Sequence, residues 1–162
     1  MKRLNVVCQC VEVISLAVWV GGLVSIIAAV IPAVFGTIGM EAGGRMLTKT
    51  FQAYDRLALA SAGLVVTGTL VRVFVAGPWK TQVGVAELAL LATMVIIAAT
   101  LAFWLTPETV RLQGLAFNAP EEAKRAAYDE FFVYHRVARA LYILNLGLGI
   151  AVLCVKVKKW VR

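Results

Sequence analysis

Long apolar runs separated by short polar stretches dominate the pattern of this chain. They cover Val11–Phe35, Leu57–Ala76, Val85–Leu105 and Val137–Val157. Each run has about 20 residues or more, enough for an α-helix rising about 1.5 Å per residue to cross a hydrocarbon core about 30 Å thick. The runs lack the apolar and polar alternation of barrel strands. The pattern predicts an all-α integral membrane four-helix bundle that forms a single transmembrane domain over residues 1–162.

The last apolar run carries a polar stripe at helical spacing. The stripe consists of His135, Ala138, Tyr142, Asn145, Gly149 and Val152. Positions three or four apart share one helix face, and a polar face on an apolar helix is expected to meet protein rather than lipid. An amide within the membrane needs a partner, so we expect Asn145 to bond a neighbouring helix backbone or the hydroxyl of Thr93 or Thr100.

Helices two and four are predicted to extend beyond the bilayer. An amphipathic pattern from Met46 to Tyr54 precedes the second run, and the segment from Pro120 to Val157 would be about 57 Å long as one helix. The two extensions lie on the same side and form an amphipathic cap. Prolines predict interruptions, with Pro32 bending or ending the first helix and Thr106–Pro107 ending the third.

Composition supports a membrane protein and suggests its orientation. Hydrophobic residues make up 61% of the chain, charged residues 15%, and the mean hydropathy is +0.85. Basic residues at both ends, including Arg3, Lys156, Lys158, Lys159 and Arg162, place both termini in the cytoplasm. We interpret the net charge of +7 as a feature that attracts anionic lipid headgroups. The expected partner is therefore a lipid bilayer, and no nucleic acid.

Charged residues inside the apolar runs fall into two groups by depth. Near the presumed cytoplasmic face lie Glu12, Arg72 and Glu87, and we predict an ion pair between Glu12 and Arg72 because buried charges need partners. Together with Tyr142 and Asn145, these three residues are the predicted intramembrane polar contacts.

The second group lies at the opposite face and is the predicted candidate site. This polar cap comprises Asp55, Arg56, Glu108, Tyr134, His135, Arg136 and Arg139. The only histidine, His135, has several possible roles: a packed interface residue, a proton relay, or a ligand for haem, chlorophyll or copper. Bound lipid is expected, whereas no cofactor is firmly indicated.

The cysteines and the motif content argue against a metal site and against catalysis. Cys8 and Cys10 are two residues apart and point to nearly opposite sides of a helix, so they cannot share one ion there. The chain carries no nucleophile with its base, no phosphate loop and no dinucleotide fingerprint. The sequence therefore predicts a non-enzymatic protein without a metal site.

Several short motifs resemble a known family, the four-helix transmembrane protein 205-like proteins, a bacterial domain of unknown function. They are Trp19-Val20-Gly21-Gly22, Pro32-Ala33-Val34-Phe35, Gly44-Arg45, Phe51-Gln52-Ala53-Tyr54, Trp104-Leu105-Thr106-Pro107, and Phe131-Phe132-Val133-Tyr134-His135 followed by Asn145. The resemblance covers nearly the whole chain, although Gln52 stands where the family often has proline. It implies a four-helix bundle and implies no established reaction. We expect the protein to lie in a bacterial cytoplasmic membrane.

Two functions are compatible with these features. The first is an accessory or structural subunit, which binds other membrane-protein subunits or forms a homo-oligomer. The glycine and alanine faces of the helices favour it because they suit close packing better than a wide pore. The alternative is a stand-alone bundle that handles a small or lipidic solute or a soft metal. A cofactor protein that uses His135 as a ligand is a third, weaker possibility.

Overall fold

The fold consists of long helices running back and forth. A computed structural model describes residues 2–75, 83–118 and 120–160, and no strand occurs among these residues. The helices are α1 Lys2–Ser25, α2 Ile31–Ile38, α3 Met40–Val75, α4 Val85–Thr100, α5 Thr106–Asn118 and α6 Glu121–Trp160. Two π-helical turns, Ile26–Val30 and Leu101–Leu105, join α1 to α2 and α4 to α5.

Four continuous helical stretches among the described residues are long and apolar enough to cross a membrane. They are helix one, Arg3–Ile38, helix two, Met40–Phe74, helix three, Val85–Phe117, and helix four, Lys124–Lys159. The expected all-α four-helix membrane bundle is therefore confirmed. The predicted end of the second run at Ala76 lies outside the described residues, as does the basic terminal residue Arg162.

Both π turns occur just before a proline, and the proline explains them. Pro32 and Pro107 lack the backbone N–H of a helical residue, and their rings would collide with the carbonyl four residues earlier. The widened turn relieves this clash, so Ile31 and Thr106 donate their N–H groups five residues back, to Ile26 and Leu101. The prediction that Thr106–Pro107 ends the third helix was wrong, because the chain continues directly into α5.

The turn between α2 and α3 depends on Gly39. Its φ of +73° and ψ of 178° lie in a region that side chains rarely adopt, so a residue without a Cβ fits there. The Gly39 carbonyl then accepts the N–H of Gly43 at 3.0 Å, and α3 begins immediately. Helix one thereby reverses directly into helix two.

The centre of the bundle is filled with large side chains. Leu16, Trp19, Met94, Leu101 and Val152 are each at most 2% exposed. Helices one and four approach closely at Gly149, where a Cβ would lie only 2.5 Å from Val20 Cγ2. Apolar side chains also cover the outside, as expected of a surface that faces lipid, and Ile143 is 57% exposed there.

The cap contains three helical extensions rather than the two that were predicted. The described parts of α3 and α6 extend as expected, and α5 contacts both of them. Thr48 on α3 donates to Gln113 on α5 at 2.7 Å. The Phe117 ring on α5 packs edge-on against Tyr128 on α6, with 6.1 Å between the ring centroids. Helix three therefore connects the extensions of helices two and four.

Candidate functional site

Five charged side chains from all four helices meet near the chain termini. We call them the ion cluster: Glu12 on α1, Arg72 on α3, Glu87 on α4, and Lys156 and Lys159 on α6. Glu12, Arg72, Glu87 and Lys156 are at most 5% exposed, whereas Lys159 is 40% exposed. The cluster is therefore inside the bundle, with one lysine at its rim.

Each acid of the ion cluster binds two cations. Glu12 Oε2 accepts from Arg72 Nη1 at 2.7 Å and from Lys156 Nζ. Glu87 accepts from Lys156 Nζ at 2.7 Å and from Lys159 Nζ. The four most buried members carry two negative and two positive charges, which offsets the cost of placing them away from water. The cluster thus fastens all four helices together.

Local packing brings helix two close enough for this contact. Gly68 lies one turn before Arg72, and a Cβ there would be 2.9 Å from Glu12 Cγ. Arg72 Nε also donates to Asn5 Oδ1 at 3.2 Å. The predicted Glu12–Arg72 ion pair is confirmed. The sequence presents Lys156 and Lys159 only as basic residues that orient the terminus, so their inward role in the ion cluster was missed.

A second polar group lies near the opposite end of the bundle. We call Asp55 on α3, Thr106 on α5 and Tyr142 on α6 the hydroxyl cluster. Asp55 Oδ2 accepts from Thr106 Oγ1 at 2.6 Å, and Asp55 Oδ1 accepts from Tyr142 Oη at 2.7 Å. Asp55 is only 5% exposed. Fourteen residues of α6 separate Tyr142 from Lys156, which places the two clusters about 21 Å apart along the helix.

Aromatic packing holds the hydroxyl cluster in place. The Tyr142 ring lies between Phe51 and Tyr54, with centroid distances of 5.0 and 6.0 Å. Tyr54 itself donates its hydroxyl to the backbone carbonyl of Trp19 at 3.1 Å. All four helices thus contribute to this end of the bundle, and the apolar core separates it from the ion cluster.

The residues of the predicted polar cap differ in their burial and in their contacts. Asp55 is buried in the hydroxyl cluster, whereas Arg56, Arg136 and Arg139 are exposed and Tyr134 is half-buried. Glu108 forms its ion pair with Arg111 on its own helix rather than with the other cap residues. The described contacts thus link Asp55 to Thr106 and Tyr142 rather than to the other cap residues, and a single site formed by the whole group stays a prediction.

His135 lies outside the buried part of the polar stripe. Its ring is exposed and stacks on Phe131, with 5.7 Å between centroids and an interplanar angle of 17°. Ala138, Tyr142, Asn145 and Val152 of the stripe are buried as predicted. A haem, chlorophyll or copper ligand role for His135 stays a prediction.

Asn145 occupies the layer between the two clusters. Its Nδ2 donates to the Met94 carbonyl at 3.4 Å, which confirms the expected bond to a neighbouring helix backbone. Its Oδ1 is buried without a hydrogen-bond partner in the described part of the structure. Asn145 therefore contributes one long hydrogen bond between helices three and four.

The described residues contain no group of three His, Cys, Asp or Glu side chains placed to hold a metal ion. Cys8 is buried in the bundle, and Cys10 and Cys154 are exposed on its apolar outside. The buried charged side chains of the described interior lie in the ion cluster and the hydroxyl cluster.

These features define an integral membrane protein, a four-helix bundle with a polar cluster near each end of its interior. The model of a domain of unknown function, DUF4149, matches residues 14–118. The match covers more than half of the chain, so the protein belongs to this family. It includes Asp55, Arg72, Glu87 and Thr106 and stops before α6. No curated protein and no solved structure matches the chain.

Proposed function

We propose that this protein is a non-enzymatic accessory or structural subunit of a larger membrane assembly. The ion cluster is the observation that carries this proposal. Its charges bind one another across all four helices, as expected of groups that fix the packing of a bundle. Because these charged residues bind one another inside the bundle, the outer surface of the bundle is left for binding to other subunits.

The filled interior supports the same role. Leu16, Met94 and Val152 are 0% exposed and lie in the layer between the two clusters. Close packing such as that of Gly149 against Val20 suits a rigid scaffold better than a wide passage. On the outside of helix three, Ile96 and Phe103 are 65% and 75% exposed. Aromatic residues are enriched at protein interfaces, so this surface is the one we assign to a partner subunit.

The experiment combines assembly and transport measurements. Extraction in mild detergent is expected to yield a hetero-oligomer of fixed stoichiometry that is lost in an Ile96→Ala/Phe103→Ala variant. Ile143→Ala on helix four, also an exposed apolar residue at 57%, is the matched control and should leave the assembly intact. Recovery of a monodisperse homo-oligomer that moves a solute across liposome membranes would overturn the accessory role.

A stand-alone bundle that handles a small or lipidic solute is the second candidate function. The hydroxyl cluster favours it, because Asp55 places a buried carboxylate at one end of the bundle. The same liposome assay tests it, with Asp55→Asn expected to abolish solute movement. A soft metal as solute, and a cofactor bound through His135, are weaker alternatives that an absorption spectrum of the purified protein and of His135→Ala would test.

We also propose that the protein lies in a bacterial cytoplasmic membrane with both termini in the cytoplasm, because basic residues cluster at both ends of the chain. The exposed Lys158 and Arg111 lie toward opposite ends of the bundle. In a cysteine-free background, a membrane-impermeant thiol reagent applied to intact cells should label Arg111→Cys and miss Lys158→Cys. The reverse labelling would invert the proposed orientation.

A further inference from the structure

Asp55 differs from the two acids of the ion cluster in the groups that bind its carboxylate. Glu12 and Glu87 are each bound by two cationic side chains. Within residues 2–75, 83–118 and 120–160, no lysine, arginine or histidine forms an ion pair with Asp55. Its partners are the hydroxyls of Thr106 and Tyr142, which donate hydrogen bonds but bring no charge.

In the part of the chain that the structure describes, no neighbouring helix supplies Asp55 with a counter-charge. Helix one contributes the Trp19 carbonyl, which accepts a hydrogen bond from Tyr54. On helix two, the neighbouring Arg56 is exposed. On helix three the nearest acid, Glu108, is already paired with Arg111. Helix four contributes Tyr142, while Arg139 one turn away is exposed.

An isolated buried carboxylate is costly, and the fold offers two ways to reduce that cost. Hydrogen bonds from hydroxyls lower it in part, whereas a bound positive charge removes the net charge altogether. The hydroxyl cluster is built from oxygen atoms, with 3.4 Å between Thr106 Oγ1 and Tyr142 Oη. Carboxylate and hydroxyl oxygens are the ligands that hard cations prefer, and a carboxylate oxygen also accepts a proton.

We propose that the hydroxyl cluster is a binding site for one monovalent positive charge, either a proton on the Asp55 carboxyl or a sodium ion held by the Asp55, Thr106 and Tyr142 oxygens. Occupancy changes the bonds between helices two, three and four. A protonated carboxyl has one hydrogen to donate, and a sodium ion uses the lone pairs that now accept the two hydroxyls. The site therefore couples the charge state of Asp55 to the packing of the cap.

The sequence allows Asp55 to be observed directly. The chain has two aspartates, Asp55 and Asp129, and Asp129 is exposed on α6. In an Asp129→Asn variant labelled with 13C-aspartate, the single side-chain carboxyl resonance comes from Asp55. The protein is placed in lipid nanodiscs and measured from about pH 4 to about pH 9 in choline chloride, and then in sodium chloride at one fixed pH.

Each result has a defined meaning. A carboxyl shift that follows pH identifies the proton, and a shift that follows sodium at constant pH and ionic strength identifies the metal ion. A resonance that responds to neither overturns the proposal. Tyr142→Phe and Thr106→Val keep the carboxylate and should each alter the response, whereas Thr109→Val, whose hydroxyl bonds only its own helix at the Leu105 carbonyl, should not.

Stability provides a second measurement. Saturation with the bound ion is expected to move the thermal midpoint of the Asp129→Asn protein by about 5 °C, and Asp55→Asn should abolish this shift. Glu41→Gln removes an exposed acid of the cap and should retain it. An equal shift with and without Asp55 would contradict the site. The proposal does not rest on the accessory role, because the site could bind its ion in either candidate function.

Discussion

Glu12→Gln tests the ion cluster with a minimal change of shape. The substitution removes one negative charge and keeps nearly the same volume, so it creates little cavity. Arg72 loses its ion pair with Glu12, and Lys156 keeps its ion pair with Glu87. Arg72 stays 5% exposed, so its charge remains buried beside a neutral amide.

The magnitude follows from distance and burial. At 2.7 Å between Arg72 Nη1 and Glu12 Oε2, the Coulomb attraction is about 6 kcal/mol with an effective dielectric constant of about 20. Desolvation of both charges offsets part of that gain in the wild type. Removing the Glu12 charge leaves the buried cations beside it with less opposing charge than in the wild type, so we expect a loss of about 3–5 kcal/mol in the free energy of unfolding.

Glu41→Gln is the matched control because it makes the same change in an exposed pair. Arg45 Nη2 lies 2.8 Å from Glu41 Oε1, almost the distance in the buried pair, but the two side chains are 54% and 62% exposed. Solvent screens such a pair, and the expected loss is below about 1 kcal/mol. A larger loss of stability for Glu12→Gln than for Glu41→Gln would therefore be due to the burial of the pair.

The assay is reversible unfolding in mixed detergent micelles, followed by tryptophan fluorescence, to which the core residue Trp19, 2% exposed, contributes. In a double-mutant cycle, Arg72→Met should recover part of the loss caused by Glu12→Gln, with a coupling energy of about 2 kcal/mol. Equal losses for Glu12→Gln and Glu41→Gln, or full additivity with Arg72→Met, would refute charge compensation in the cluster.

Three further substitutions, Gly149→Ala, Gly39→Ala and Tyr54→Phe, test the packing of the bundle. Gly149→Ala places a Cβ 2.5 Å from Val20 Cγ2 and should cost about 1–3 kcal/mol in the same unfolding assay, with relief by Val20→Ala. Gly147→Ala has nothing within 4 Å and should be neutral or stabilising; equal losses at both glycines would contradict the close approach. Gly39→Ala forces a side chain into φ +73° and should cost about 1–3 kcal/mol, whereas Gly36→Ala should not. Tyr54→Phe removes the bond to the Trp19 carbonyl and should cost about 1 kcal/mol, measured by the shift of the denaturation midpoint; no shift would show that water replaces it.

The length of the apolar runs was sufficient to predict the fold. A bilayer forces each apolar run of this length into a helix, because backbone groups in hydrocarbon must bond within their own segment. The Glu12–Arg72 pair followed from the same physics, since both charges lie within apolar runs at similar depth, near the presumed cytoplasmic face. Buried charge needs a partner, and few were available at that depth.

The position of the helix ends was less predictable. A proline such as the one in Thr106–Pro107 often marks the end of a helix. Here the π turn Leu101–Leu105 accommodates the proline ring, and helix three continues as α5. The consequence is large, because α5 brings Thr106 to Asp55 and completes the cap. A proline restricts the local backbone, but whether the helix widens or stops depends on the packing of the residues beyond it.

Only the tertiary structure decided which polar residues meet. The sequence placed Asp55 with His135 and the cap arginines and placed Tyr142 apart from them, whereas Asp55 binds Tyr142 and His135 is exposed. It also presented Lys156 only as a basic residue near the terminus, whereas this lysine lies between Glu12 and Glu87. Helical periodicity gives the direction in which a side chain points around the axis of its own helix. The rotation and axial shift of each helix against its neighbours arise from packing such as Gly149 on Val20, and these decide the contacts.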